Sequence, residues 1–205
     1  TKVFSKVNNM NSVFKDKLKS YFMITFFGIL AGFVVILFCE LPDNDLWSFY
    51  YWSASTFGFW MFSTSLIVLF SENRKCAAIN AGIYIFLMFF ITTVYKSLSM
   101  FQDGVTPFHS LGELTLNHIA GWLMYSAPAA ILCACFGLLL WSGRKNTVYG
   151  KILKALPAIF ILIETIMMFY YVFATHTKLF SALSDLICLA VYIVVYLLHL
   201  NKEIF

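Results

Sequence analysis

Residues 118–173 read HIAGWLMYSAPAAILCACFGLLLWSGRKNTVYGKILKALPAIFILIETIMMFYYVF. Two uninterrupted apolar runs, His118–Trp141 and Leu156–Phe173, flank a short turn carrying Arg144, Lys145, Lys151 and Lys154. A bilayer-crossing helix needs about 17–25 predominantly apolar residues, and both runs fit. Working outward, four more segments meet the same test: Tyr21–Phe38, Leu46–Phe70, Cys76–Tyr95 and Leu179–Leu200. The sequence therefore predicts an all-α polytopic membrane protein, a bundle of six transmembrane helices spanning residues 21–200. A basic tail (1–20) precedes the bundle and a short tail (201–205) follows it.

Charge orients the bundle. Lys and Arg are retained on the cytoplasmic side of a membrane, whereas acidic residues contribute little to orientation. With the N-terminus inside, the inner segments carry five lysines before the first span, then Arg74 and Lys75, the four cations after Trp141, and Lys202. The outer segments carry only Lys96 and Lys178. Twelve against two, alternating at every loop, predicts an N-in, C-in topology. The loop after the first span, CELPDND (Cys39–Asp45), then lies outside.

Composition agrees. The chain is 61% hydrophobic and 12% charged, with mean hydropathy +0.82; soluble domains run at about 45–50% apolar and about 25% charged. The net charge of +4 is accounted for by the inner loops, so nucleic acid is not expected as a partner. Only helices and closed barrels satisfy their backbone in lipid, and the period-2 alternation of a barrel strand is absent. The first apolar run lacks a small-residue cleavage site and reads as an uncleaved span with its basic tail at the anionic inner leaflet.

Cysteine and histidine usage argues against redox and metal chemistry. Cys39, Cys76, Cys133, Cys135 and Cys188 fall at different membrane levels, which does not suit a disulfide framework. His109, His118 and His176 are expected outside and His199 inside, with no HExxH spacing. No metal or cofactor is expected. The nucleophile elbow and the phosphate-binding glycine loop are absent too, so no catalytic residue is assigned.

Ionisable residues inside spans are the candidate functional groups, because charge in the bilayer interior is expensive and normally faces a bundle interior or a hydrated cavity. Glu164 lies in the middle of the fifth span and Asp185 about two turns below the outer end of the sixth. Both fall in the outer half of adjacent helices and could line one cavity. Tyr171 shares the Glu164 face, and Ser181, Cys188, Tyr192, Tyr196 and His199 recur with Asp185 at three- and four-residue steps. The expected site is an outward-facing pocket in which Glu164 and Asp185 meet a small polar or cationic ligand. Tyr171, Tyr192, Trp47 and Trp52 would supply apolar or stacking surface. The structural alternatives are a protonated Glu164 that fixes helix register by a hydrogen bond, and an interfacial aromatic belt for the cluster in LWSFYYWSAS (46–55).

Two further features concern contacts. Gly28 and Gly32 form a GxxxG pair in the first span, with the same spacing at Ala78/Gly82 and Ala130/Ala134. Such pairs let helix backbones approach in lipid, either within the bundle or, at Gly28/Gly32, against a transmembrane partner subunit. The 22-residue connection Lys96–Asn117 is long for a helical bundle. Ser110 and Glu113 form a capping box within it, predicting a short helix from Leu111 on the outer face. A lid is one use for such a loop and a passive amphipathic segment another.

The strings LWSFYYWSASTFGFWMFSTSLIVLFSENRKCAAINAGIYIF and YGKILKALPAIFILIETI resemble an uncharacterised family of six-span bacterial membrane proteins. That resemblance implies a multi-pass protein of the bacterial inner membrane and carries no activity with it. More distantly, the layout is similar to the S components of energy-coupling-factor vitamin transporters. These have six helices, both termini inside and a pocket beneath an outer loop, and small residues of the first helix dock a transmembrane partner. By that analogy the chain is a substrate-binding or transport subunit and Gly28/Gly32 the docking face. A non-transporting accessory or immunity-type protein, with a filled interior, is a second class. An intramembrane enzyme, with Glu164 as its first candidate, is a third.

Overall fold

The computed structural model describes residues 2–41, 46–47, 57–104, 110–144 and 147–201, with side chains given from Ser20 to Leu197 except at 116–117. Within these residues the chain is all-helical: α1 (Lys2–Cys39), α2 (Phe57–Phe70), α3 (Arg74–Gln102), α4 (Leu111–Trp141), α5 (Val148–Thr175) and α6 (Leu179–Asn201), with a 3-10 turn at Ser142–Arg144. Five of these contain stretches long and apolar enough to cross a membrane, compatible with a helical membrane bundle. The sixth, α2, has 14 residues as described. Leu46 and Trp47 form a turn instead of the start of the second span, and 48–56 lie outside the described residues.

The helices overrun the expected spans where helix-forming sequence continues past the apolar run. The third extends to Gln102 and the fourth begins at Leu111, so the supposed 22-residue loop shrinks to Asp103–Ser110, of which 105–109 are outside the described residues. The Ser110 cap forms as its sequence dictates: its Oγ accepts the Glu113 amide at 3.2 Å. The helix it starts is no separate surface segment, however, but the first turns of α4. Asn73 caps α3 and Thr147 caps α5 in the same way, accepting from the Cys76 and Gly150 amides. Each satisfies an amide that has no intrahelical partner.

Helix α2 is the hub. It packs against α3 and α4 on one side and α5 and α6 on the other, while α1 lies on α3. Met61 of α2 meets Ile161 of α5 and Cys188 and Leu189 of α6, and Val68 meets Ala77 and Ala81 of α3 and Leu140 of α4. The α3–α4 contact uses small residues on both faces. A Cβ on Gly82 would sit 3.5 Å from the Ala130 carbonyl and the Ala134 methyl, and one on Gly137 would sit 3.1 Å from the Ala77 carbonyl. The Ala78/Gly82 and Ala130/Ala134 spacing thus does what small residues do between helices in lipid.

Gly28 and Gly32 are used in the same way. A Cβ at Gly28 would lie 3.1 Å from the Tyr84 carbonyl, and one at Gly32 would lie 3.1 Å from the Ile91 Cβ. The pair faces α3 of its own chain, so the docking face expected there is already covered. The opposite side of α1 presents Phe22, Phe26, Phe33 and Leu37 outward. Similar apolar side chains cover the outside of the other long helices, among them Leu132, Ile166 and Phe173. Contiguous exposed apolar surface on this scale is costly in water and suits lipid.

Polar contacts tie the helix ends together in two sets. At one end, Glu40 accepts the Tyr95 hydroxyl and the Leu179 amide donates to the Leu46 carbonyl at 2.9 Å. At the other, Arg144 donates to the Ser71 carbonyl, Asn80 to the Ser71 hydroxyl at 3.2 Å and Arg74 to the Leu138 carbonyl at 3.2 Å. Arg74 and Arg144 thus share one end of the bundle. The α5–α6 turn is tight: His176 and Lys178 both take left-handed backbone, φ 54° and 63°. His176 closes α5 by donating its amide to the Val172 carbonyl at 3.1 Å.

Candidate functional site

Glu164 and Asp185, 21 positions apart in sequence, converge on the first residues of α2. Glu164 is 8% exposed and its Oε1 accepts the Phe57 amide at 2.6 Å, with the Gly58 amide directed at the same carboxyl group. A helix start leaves such amides without intrahelical partners and carries partial positive charge. A carboxyl group placed there satisfies the donors and stabilises the end by roughly 0.3–2 kcal/mol. Glu164 therefore ties α5 to the start of α2 as an acceptor of backbone amides, not as the protonated donor expected of its structural alternative.

Asp185 has no such support. It is fully buried, within electrostatic reach of Glu164, and neither of its oxygens has a hydrogen-bond partner among the described residues. Its carboxylate lies in the space that a side chain at Gly58 would fill: a Cβ there would stand 2.8 Å from Asp185 Cγ. Only glycine permits this approach. The second oxygen of Glu164 and the hydroxyl of Ser181, one turn before Asp185 on the same face, are also buried and unpartnered. Four acceptor-capable oxygens from α5 and α6 thus lie buried without donors among the described residues, where polar groups are nearly always bonded. Each such group costs about 1–3 kcal/mol.

Oxygen donors of this kind suit a hard cation, a protonated amine or a proton. A cation would be held by the two carboxylates and, within reach of the same helix face, by Ser181. Among the described residues no group of three or more His, Cys, Asp and Glu side chains has the arrangement of a metal centre.

The remaining expected site residues are not gathered here. Tyr192 is fully buried, but its hydroxyl donates to the Lys154 carbonyl at 2.9 Å, bracing α6 against the far half of α5. It stands seven residues, roughly 10 Å, along the helix from Asp185. Tyr171 is as far from Glu164 in the other direction, and its ring lies under the Lys178 ammonium, 4.8 Å from the centroid. Trp47 is in the turn before α2, 37% exposed, next to the Leu46–Leu179 bond. Trp52 lies outside the described residues. Same-face spacing leaves out axial distance, which separates the two tyrosines from the carboxylates. The Phe57 and Gly58 backbone was not among the expected site groups. The signal available was Gly58 itself, a small residue amid TFGFW.

No protein-family model matches the chain, and no curated protein and no solved structure is similar to it.

Proposed function

We propose that this chain is a six-span protein of the bacterial inner membrane, with both termini in the cytoplasm, that binds or transports a small cationic solute at Glu164 and Asp185. The observation that carries the proposal is the buried, donor-free set of oxygens of Asp185, Glu164 and Ser181. Two like charges and their neighbours are stable at that depth only when a cation or proton balances them. The Lys/Arg asymmetry between loops supports this orientation, in which the carboxylates lie nearer the outer side. A subunit-docking role for Gly28 and Gly32 does not enter the proposal, since both rest on α3.

The test is melting of the detergent-purified protein in a series of Na+, K+, methylammonium and a bulky organic cation at constant ionic strength. One small cation is expected to raise the melting temperature saturably, and Glu164→Gln to abolish that rise while leaving the cation-free melting temperature nearly unchanged. Equal melting in all cations, in wild type and variant alike, would refute the proposal.

A second reading has its own support. The Asp185 carboxylate fills the gap above Gly58, a packed arrangement of the kind a non-transporting accessory protein would show. On that reading Glu164→Gln is harmless, and Glu164→Leu is the damaging change because it strands the Phe57 amide.

A further inference from the structure

A second site lies on the opposite side of α2. Residues 58 and 60 are about 200° apart on a helix, so Gly58 meets Asp185 while Trp60 turns toward α3 and a cavity of about 310 Å³. Helices α1 to α4 each contribute to its wall. From α3 come Met88, Phe89, Thr92, Thr93 and Lys96, a stripe with i, i+4, i+8 spacing.

The wall is chemically two-sided. The Phe89 ring is held edge-on to Trp60, centroids 4.3 Å apart. Thr92 and Thr93 donate their hydroxyls to the Met88 and Phe89 carbonyls, both at 2.8 Å, so these hydroxyl protons are already used and the threonines offer mainly methyl surface. Below them the surface is apolar; one turn above, towards the Gln102 end of α3, Lys96 brings the only cationic group among the described lining residues. A volume of this size equals the liquid share of about ten waters, yet apolar walls hold water poorly. An apolar occupant fits the walls, and a negative group on it would meet the ammonium by a charge-assisted hydrogen bond.

We propose that this cavity binds a single-chain amphiphile with a carboxylate head, a long-chain fatty acid anion. The chain would lie among Trp60, Met88, Phe89 and Tyr125, and the head at Lys96. A single chain and a small head are favoured over a two-chain phospholipid by the cavity's size and by the one cation, Lys96, among its described lining residues. This site is independent of the carboxylates and does not rest on the proposed cation binding.

The experiment uses the full chain in maltoside micelles at about pH 9, where the probe's carboxyl is ionised. Dibromostearic acid and its uncharged methyl ester are titrated against tryptophan fluorescence, with Trp60→Phe identifying the Trp60 component. The acid is expected to quench Trp60 saturably at a concentration at least tenfold below the ester. Lys96→Gln should bring the two within twofold of each other, Lys96→Arg should keep the preference, and Val35→Phe, which fills the cavity, should weaken both. Equal quenching by acid and ester in the wild type overturns the proposal without need of any variant. So does retention of the preference in Lys96→Gln, quenching unchanged by Val35→Phe, or brominated phosphatidylglycerol matching the acid, which would mark a general anionic-lipid contact.

Discussion

Replacing Gly58 by alanine tests the convergence of α2 and α6 most sharply. The new methyl would stand 2.8 Å from Asp185 Cγ, well inside the 3.4–4 Å of ordinary contact. Asp185 is short, fully buried and anchored on a packed helix, so the overlap is relieved only by moving the carboxylate or separating α2 from α6. Overpacking of this kind costs about 1–3 kcal/mol, offset by up to about 1 kcal/mol because alanine favours helix over glycine. Gly58→Ala alone should therefore lose about 1–2 kcal/mol. In an Asp185→Ala background the obstacle is gone and only the helix preference remains, so the same substitution should stabilise by a few tenths to about 1 kcal/mol. The assay is reversible unfolding in mixed maltoside and dodecyl sulfate micelles, followed by circular dichroism across the four proteins of the cycle. A coupling energy of about 1–3 kcal/mol is expected, typical of residues in contact. An identical effect of Gly58→Ala in both backgrounds would refute the placement of Asp185 against α2.

The other predictions follow from single contacts. Tyr192→Phe removes the 2.9 Å bond to the Lys154 carbonyl and should cost about 0.5–1.5 kcal/mol in the same unfolding assay, without altering any response to cations. Gly32→Leu drives a branched side chain into Ile91 and should destabilise the isolated chain by about 1–3 kcal/mol; unchanged stability would return this face to a partner subunit. Single cysteines placed at Asp103 and Lys145 in a cysteine-free background should react with a membrane-impermeant maleimide from outside intact cells at the first position and not at the second; labelling at Lys145 would invert the orientation.

How much of this was legible in the sequence depended on the range of the interaction responsible. The apolar runs announce the long helices because lipid burial is a property of each segment alone, and Ser110, three residues before Glu113, announces a helix start because capping is local. Helix ends were misjudged where polar residues follow the apolar run. Lys96–Gln102 and Leu111–Asn117 continue as helix, since intrahelical hydrogen bonding does not stop at a hydropathy boundary. Glu164 and Asp185 stood out as charges in apolar sequence, but nothing local showed that both would meet at Phe57 and Gly58. That meeting is set by the packing of three helices. The Lys96 cavity was hidden for the same reason: its α3 stripe has helical spacing, while the walls from α1, α2 and α4 come from distant segments.

Cation binding by the paired carboxylates can be read from calorimetric titration of a small cation, chosen by the melting series, into the wild type, Glu164→Gln and Asp185→Asn. One saturable site is expected in the wild type and no measurable binding in either variant, with all three proteins folded by circular dichroism. Equal heats in wild type and variants, or binding that survives the loss of both carboxylates together, would contradict it.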